Sequence, residues 1–235
     1  MPSPSRYALP LHQQISEMLI REVASGRILD GERLPPERDM AAGLGIAVGT
    51  LRKALADLEG KGLLERIQGS GNYVRARADV ASVYALFRLE LVEGGGLPTA
   101  RVLAVERLSK EPFMPPFGTA PDGHRIRRLR SLGGKVAAIE EIWLDGARAG
   151  HIGIGDLSDS LYLYYREALG IWMARAEDRI GVGSVPDWAS AEFGLRAGVP
   201  CGFIERIGWD REGASVEFSR TWFDPAIARY VSRLR

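Results

Sequence analysis

Apolar positions recur every three to four residues near the start of the chain. In LHQQISEMLIREVASGRI, Leu11, Ile15, Leu19 and Val23 fall at helical spacing, and Gly26 is placed to stop the helix. After the turn DGERLPP the pattern predicts a short second helix from about Pro36 to Gly43, which carries Met40 with Leu44 just beyond it. Gly45 interrupts it only a few residues before AVGTLRKALADLE resumes the period, with Leu51, Leu55 and Leu58 at i, i+4 and i+7 and a stop at Gly60 and Gly62. LLERIQ and NYVRAR then alternate as two short strands about the tip GSG. Three helices with a tight second turn, followed by a hairpin, are the element order of a winged helix-turn-helix.

From about Ser82 the pattern mixes strands and helices. RIRRLRSLGGKVAAIEEIWL predicts two strands about a Gly133-Gly134 turn, SDSLYLYYREALG a helix ending at Gly170, and PDWASAEFGLRAG a further helix ending at Gly198. CGFIERIGWD and ASVEFSRTWFD predict a last hairpin about REG. The fold class is α+β with antiparallel hairpins. Two domains follow, residues 1–77 and 78–235, with RARADVAS near residues 75–82 as the connector.

The third helix has two unlike sides. At roughly 100° per residue, Leu51, Ala54, Leu55 and Leu58 share one, and Val48, Gly49, Arg52, Lys53 and Ala56 the other. The first side is core. The second combines two cations with small side chains, a shape that lets backbone lie close to a partner while Arg52 and Lys53 reach out. An isolated helix of this kind is usually just a solvated face, but a DNA major groove admits such a helix and offers phosphates and guanine edges to cations.

Composition narrows the partners. Thirty-one basic residues against thirty acidic ones give a net charge of +1 over 235 residues, so nucleic acid would have to be met by a local patch. Residues 1–77 hold eleven Lys or Arg against nine Asp or Glu. A single cysteine, Cys201, excludes an internal disulfide framework, and His12, His124 and His151 show no clustered metal-ligand spacing. No metal or cofactor is predicted. MPSPSRYALP lacks an apolar segment of signal-peptide length, and no run approaches the roughly 18 apolar residues of a membrane span. A cytoplasmic protein with no membrane partner is expected.

GRILDGERLPPERDMAAGLGIAVGTLRKALADLEGKGLLERIQGSGNYV closely resembles the winged helix-turn-helix of the GntR family of bacterial transcription regulators, over residues 7–75. LPPERD, TLRKAL, LEGKGLLER and QGSGNYV are the most specific pieces. The resemblance implies double-stranded operator DNA as partner, with Arg33 and Arg38 at the backbone or a base, Thr50 at a phosphate, Arg52 in the major groove, and Gln68 and Gly69 bringing the wing tip to the minor groove. Two departures stand out. Pro36 replaces the usual Ser, so it would serve as a pre-set first helical residue rather than as a side-chain cap. Ala47 and Val48 replace the common Ser or Thr followed by Arg; Val48 offers an apolar surface suited to a thymine methyl, and Gly49 lets the helix end sit deeper.

The remaining residues resemble the UTRA effector-binding domain of the HutC subfamily, whose fold is similar to chorismate lyase, through RLR, the Glu ten residues later in AAIEEIWL, DLSDSLY and VEFSRTWF. The resemblance implies a pocket of Arg128, Arg130, Glu140, Ser160, Tyr162 and Glu217, for a small anionic metabolite such as a sugar phosphate or organic acid. Phe223 stands where Tyr is common, which leaves room for a different or less polar ligand. Residue spacing supports part of this pocket: Arg128 and Arg130 point to one face of a strand, where two forked guanidiniums suit phosphate or carboxylate. Ser160, in the first turn of its helix, would add free N–H groups. A two-residue Gly133-Gly134 turn would put Glu141 on the arginine face, and an odd-length loop would put Glu140 there.

The chain is therefore predicted to be a homodimeric, effector-responsive repressor and not an enzyme. An alternative is a chorismate-lyase-like enzyme with an accessory DNA-binding domain, in which the arginines hold a carboxylate and Glu140 or Glu217 is the general base. No His, Cys or Ser stands in a nucleophile motif to support it. A third reading is a DNA-binding protein whose second domain only dimerises.

Overall fold

The computed structural model describes residues 9–75, 86–157 and 159–233. The chain divides into two compact units, one built on Leu9–Arg88 with the last residues from Tyr230, the other on Leu89–Arg229. Most of the expected connector, and the boundary at 77/78, lie outside the described residues.

In the first unit α1 (Leu11–Ala24), α2 (Glu37–Gly43) and α3 (Val48–Gly60) precede a hairpin of β1 (Leu64–Ile67) and β2 (Gly71–Val74). Ile15, Leu19, Leu51, Leu55 and Leu58 are at most 1% exposed, so the periodic positions of α1 and α3 form the core. Leu11 does not join them; it is 45% exposed at the first helical position. Pro36 is the N-cap of α2 with extended backbone (ψ 138°), not its first helical residue, and it contributes its carbonyl to the Met40 N–H. Residues 31–34 run beside β2, with Leu34 N–H donating to Asn72 O and Arg33 bridging to Tyr73, which seats the segment before α2 against the wing.

The second unit is a six-stranded sheet, in the order β4 (Pro98–Ser109), β5 (Asp122–Leu132), β6 (Lys135–Asp145), β9 (Ser215–Phe223), β8 (Pro200–Asp210), β7 (Met173–Ser184), with every neighbouring pair antiparallel. β3 (Leu89–Leu91) and β10 (Ala228–Tyr230) pair separately. α4 (Leu161–Leu169) packs Leu161, Tyr164 and Tyr165 against Ile126, Ile142 and Leu144 of one face. Its end at Gly170, in the left-handed region (φ 67°), is where the sequence places it.

The helix expected over PDWASAEFGLRAG does not form. Only Ala191–Phe193 makes a single 3-10 turn, closed by Gly194 at φ 84°. Phe193 and Trp188 turn instead onto the other face of the sheet, with Leu129, Ile139 and Trp222, so the segment covers that face as an irregular loop. β7, a long edge strand, carries no clean alternation of apolar and polar residues, which hid it in the sequence.

Candidate functional site

Two places gather the residues singled out above, an exposed surface in the first unit and a buried polar cluster in the second. In the first, α3 begins at Val48 from the N-cap Ala47, which makes no side-chain cap bond. Gly49 is exposed, and a Cβ there would meet nothing within 4 Å, so the bare first turn is open to a partner. Val48 and Thr50 are half-buried beside it, and Lys53 and Arg38 are exposed. Gln68 and Gly69 are exposed at the wing tip, where Ser70 N–H closes a turn onto Ile67 O and Gly69 takes φ 76°. A cleft of about 580 Å³ runs between residues 33–37 and the wing, and the Arg33 guanidinium lies along Gly71 on its wall.

Arg52 is not free in this surface. It is 64% exposed, and its Nε donates to Glu37 at 2.7 Å. Arg66 of β1 lies 3.8 Å from the same carboxylate. The hydrogen bond from Arg52 outweighs partial burial and lowers the pKa of Glu37.

In the second unit the register of β5 and β6 resolves the choice between the two glutamates. Gly133 and Gly134 form a two-residue turn with φ of 54° and 81°, the geometry of a type I′ hairpin. Ser131 faces Val136 but Arg130 faces Ala138, so Ala137 is an extra residue bulged from the ladder. The bulge shifts register by one and brings Glu140 opposite Arg128, while Glu141 faces Arg127 on the reverse side. The short turn and the arginine-facing Glu140 thus coexist.

Glu140 is clasped by both arginines: Arg128 Nη2 lies 2.6 Å from Oε2, and Arg130 reaches Oε1 through Nε at 3.2 Å and Oε2 through Nη2 at 3.1 Å. All three are at most 6% exposed. Burial alone would raise the pKa of Glu140, but Arg128 and then Arg130 outweigh it and hold the carboxyl at about 2. Each arginine also directs Nη1 toward the Asp159 carbonyl at 3.4 Å.

Ser160 is not in the first turn of α4. It is the N-cap, and its hydroxyl accepts the Leu163 N–H at 3.3 Å, so that oxygen is engaged in capping. Tyr162 donates to Glu217 Oε1 at 3.0 Å. The buried Tyr165 hydroxyl lies against the Glu217 carboxylate, neither it nor Glu217 Oε2 making a hydrogen bond of good geometry among the described residues, and burial raises the pKa of Glu217. Phe223, on β9 opposite Ala138, lays its ring over Gly202, where any side chain would collide with it.

The structure thus brings Arg128, Arg130, Glu140 and Ser160 to the start of α4, and Tyr162 and Glu217 to a second polar cluster on the same face. The sequence reading missed Asp159, Tyr165, Arg206 and Asp178. Tyr165 had a signal, because Tyr162 and Tyr165 at i and i+3 share a helix face and their rings lie 5.9 Å apart. Arg206 forks onto Asp178 across β8 and β7, at 2.6 and 2.7 Å. Its partner sits on the strand the sequence concealed.

Residues 11–74 match the bacterial regulatory proteins of the gntR family, and residues 93–227 match the UTRA domain. The HTH-type transcriptional regulator SmoD of Agrobacterium fabrum is 61% identical over 228 residues, covering 97% of each chain. The mannosyl-D-glycerate transport/metabolism system repressor MngR of Escherichia coli is 25% identical and covers 92% of each. Among solved structures, the possible transcriptional regulator YydK of Bacillus subtilis superposes with a TM-score of 0.54 at 21% identity, over 97% of this chain and 100% of that one. That likeness speaks for the fold.

Proposed function

The chain belongs to the GntR family of bacterial regulatory proteins and carries a UTRA domain, and from that premise we propose that this DNA-binding regulator is a cytoplasmic homodimeric repressor whose operator affinity is set by a small anionic metabolite. The DNA face comprises Arg33, Arg38, Val48, Gly49, Thr50, Arg52, Lys53, Gln68 and Gly69. One winged helix contacts few base pairs, so two copies on a pseudo-palindromic operator supply the missing specificity. Residues 1–77 carry the DNA face and residues 78–235 the effector and dimer functions.

One observation carries the anion: two buried guanidiniums share a single carboxylate. Arg128, Arg130 and Glu140 sum to one positive charge in a place where an uncompensated charge is costly. An anion arriving at the arginines relieves that cost, and the buried Glu217 carboxylate and Tyr165 hydroxyl, which lie against each other without a hydrogen bond of good geometry, have capacity for hydroxyl groups on the rest of the ligand. MngR, named for mannosyl-D-glycerate, is named for a sugar that bears a carboxylate, a chemistry of the same kind.

The test is a thermal-shift screen of sugar phosphates and organic acids, followed by operator titration with any compound that raises the melting temperature. Linkage requires ligand and operator to change each other's affinity by one common factor, typically worth about 1–3 kcal/mol. Provided melting shows the variant folded, since it strips Glu140 of both partners, Arg128→Ala with Arg130→Ala should abolish the response while leaving ligand-free operator binding nearly intact. A full response in that variant would place the pocket elsewhere. Consumption of the compound would favour an enzyme.

A further inference from the structure

Glu37 is an acid set among the cations and polar groups of the DNA face. It is the first residue of α2, and its side chain is 22% exposed. Its carboxylate accepts the Nε–H of Arg52 at 2.7 Å, faces Arg66 at 3.8 Å and lies against the side chain of Asn72. Those three partners come from α3, β1 and β2, so one carboxylate touches both the recognition helix and the wing. A negative charge here repels the phosphates that dominate affinity for any DNA. Its presence therefore needs a local use.

We propose that Glu37 is a positioning residue for base reading: it grips Arg52 by the Nε edge, presents the opposite Nη1–Nη2 edge to a guanine, and ties the recognition helix α3 to the wing through Asn72, beside Arg66, which pairs more closely with Glu59 of α3 at 3.1 Å. The chemistry follows from the guanidinium, whose five N–H donors lie in one plane and form more than one usable edge. Guanine O6 and N7 accept two parallel bonds from one such edge. With the Nε edge engaged, the terminal edge is the one available for that pairing. A side chain already held in place loses less rotamer freedom when it docks. The carboxylate also offsets the attraction of Arg52 for phosphates of any sequence, so the arginine contributes more to discrimination and less to sequence-independent binding.

This inference rests on the assignment of Arg52 as a base reader, and the experiment separates the two. Full-length wild type, Glu37→Ala, Glu37→Gln, Arg52→Ala and the Glu37→Ala/Arg52→Ala double variant would each be taken through selection from a random duplex library. Titration at several salt concentrations and thermal melting would accompany the selection. Arg52→Ala should relax preference at one base pair. Glu37→Ala should relax the same position by about fivefold to tenfold, the lower end of the range that one bidentate contact spans, and should tighten binding to random DNA with a steeper salt dependence. Glu37→Gln keeps an acceptor for Nε–H and should retain an intermediate preference. Added to Arg52→Ala, Glu37→Ala should change no base preference.

Relaxation in Arg52→Ala with an unchanged preference in Glu37→Ala would overturn the positioning role alone. A uniform loss across all sequences, with a lower melting temperature, would also overturn it, because that is what a purely structural contact gives. An unchanged preference in Arg52→Ala would remove Arg52 from base reading and Glu37 with it.

Discussion

Glu140 and Glu141 are neighbours in the chain, and each is held by two arginines on opposite faces of one sheet. Glu140 lies between Arg128 and Arg130 on the face that α4 covers, and no member of the trio is more than 6% exposed. Glu141 receives Arg127 at 2.8 Å and Arg220 at 2.6 Å, and Trp143 Nε1–H at 3.3 Å. Its arginines are 21% and 20% exposed and lie over Trp188 and Phe113, with ring centroids 4.6 Å away in each case. Formal charge is the same in both trios, one net positive. What differs is the surroundings: the arginines of one trio are 4% exposed, and those of the other are about a fifth exposed and lie against aromatic rings. Charge count does not distinguish the two trios; depth of burial does, and that difference is why the proposed anion site is the first.

The comparison breaks most sharply on removing each carboxylate. Glu140→Ala leaves two buried guanidiniums facing each other, and the cost of stripping one partner from a buried ionic group is about 3–5 kcal/mol. Glu141→Ala leaves arginines that reach water and keep their aromatic neighbours, so the loss should be smaller, about 1–3 kcal/mol. Urea unfolding of the two variants, followed by circular dichroism, ranks them. Equal losses would mean that solvent reaches both trios alike.

Opposite pH dependence sharpens the same contrast within the α4 face. Glu140 has a folded pKa of about 2, below its ordinary value of 4.5, so its stabilisation is present above about pH 4.5 and is lost as pH falls toward 2. Glu217 is shifted the other way by burial. Its contribution is present below the ordinary carboxylate value and lost as pH rises through the raised one. Glu217→Gln should therefore be more stable than wild type at neutral pH, with the gain vanishing near pH 4. Melting temperatures from pH 4 to 8 measure this, and a gain that does not change with pH would show that Glu217 is ionised in the folded protein.

The sequence made these carboxylates visible to different degrees. Periodicity placed α1, α3, α4 and both long hairpins because each has a regular apolar face and a glycine at its end. The strand spacing of Arg128 and Arg130 was legible for the same reason. The bulge at Ala137 was not, since Ala carries no bulge signature and the shift in register depends on packing across the sheet. Without it, Glu141 rather than Glu140 would have joined the buried arginines. The capping role of Ser160 was half visible: Ser before an apolar helical run is an N-cap signal, and the functional reading placed it one position too far in. The Arg206–Asp178 pair joins residues 28 apart on an edge strand with no apolar rhythm, and local sequence holds no trace of it.

The smallest effect on stability belongs to the exposed pair of the first unit. Arg52 is 64% exposed, and an ion pair in that setting contributes about 0–1 kcal/mol, because water screens it and two side chains must be ordered to form it. Glu37→Ala and Arg52→Ala should each shift unfolding by less than about 1 kcal/mol, with additive effects or a coupling of only a few tenths in a double-mutant cycle. Denaturant unfolding at low and high salt checks both statements, since whatever coupling exists should shrink as salt rises. A coupling as large as that of the Glu140 trio would mean that the pair is a structural clasp. Weak coupling in the free protein, together with a changed base preference on DNA, would locate the value of this arginine–carboxylate contact in recognition. The same two side-chain types then hold a buried site together in one unit and orient a reader in the other, and solvent exposure separates the two uses.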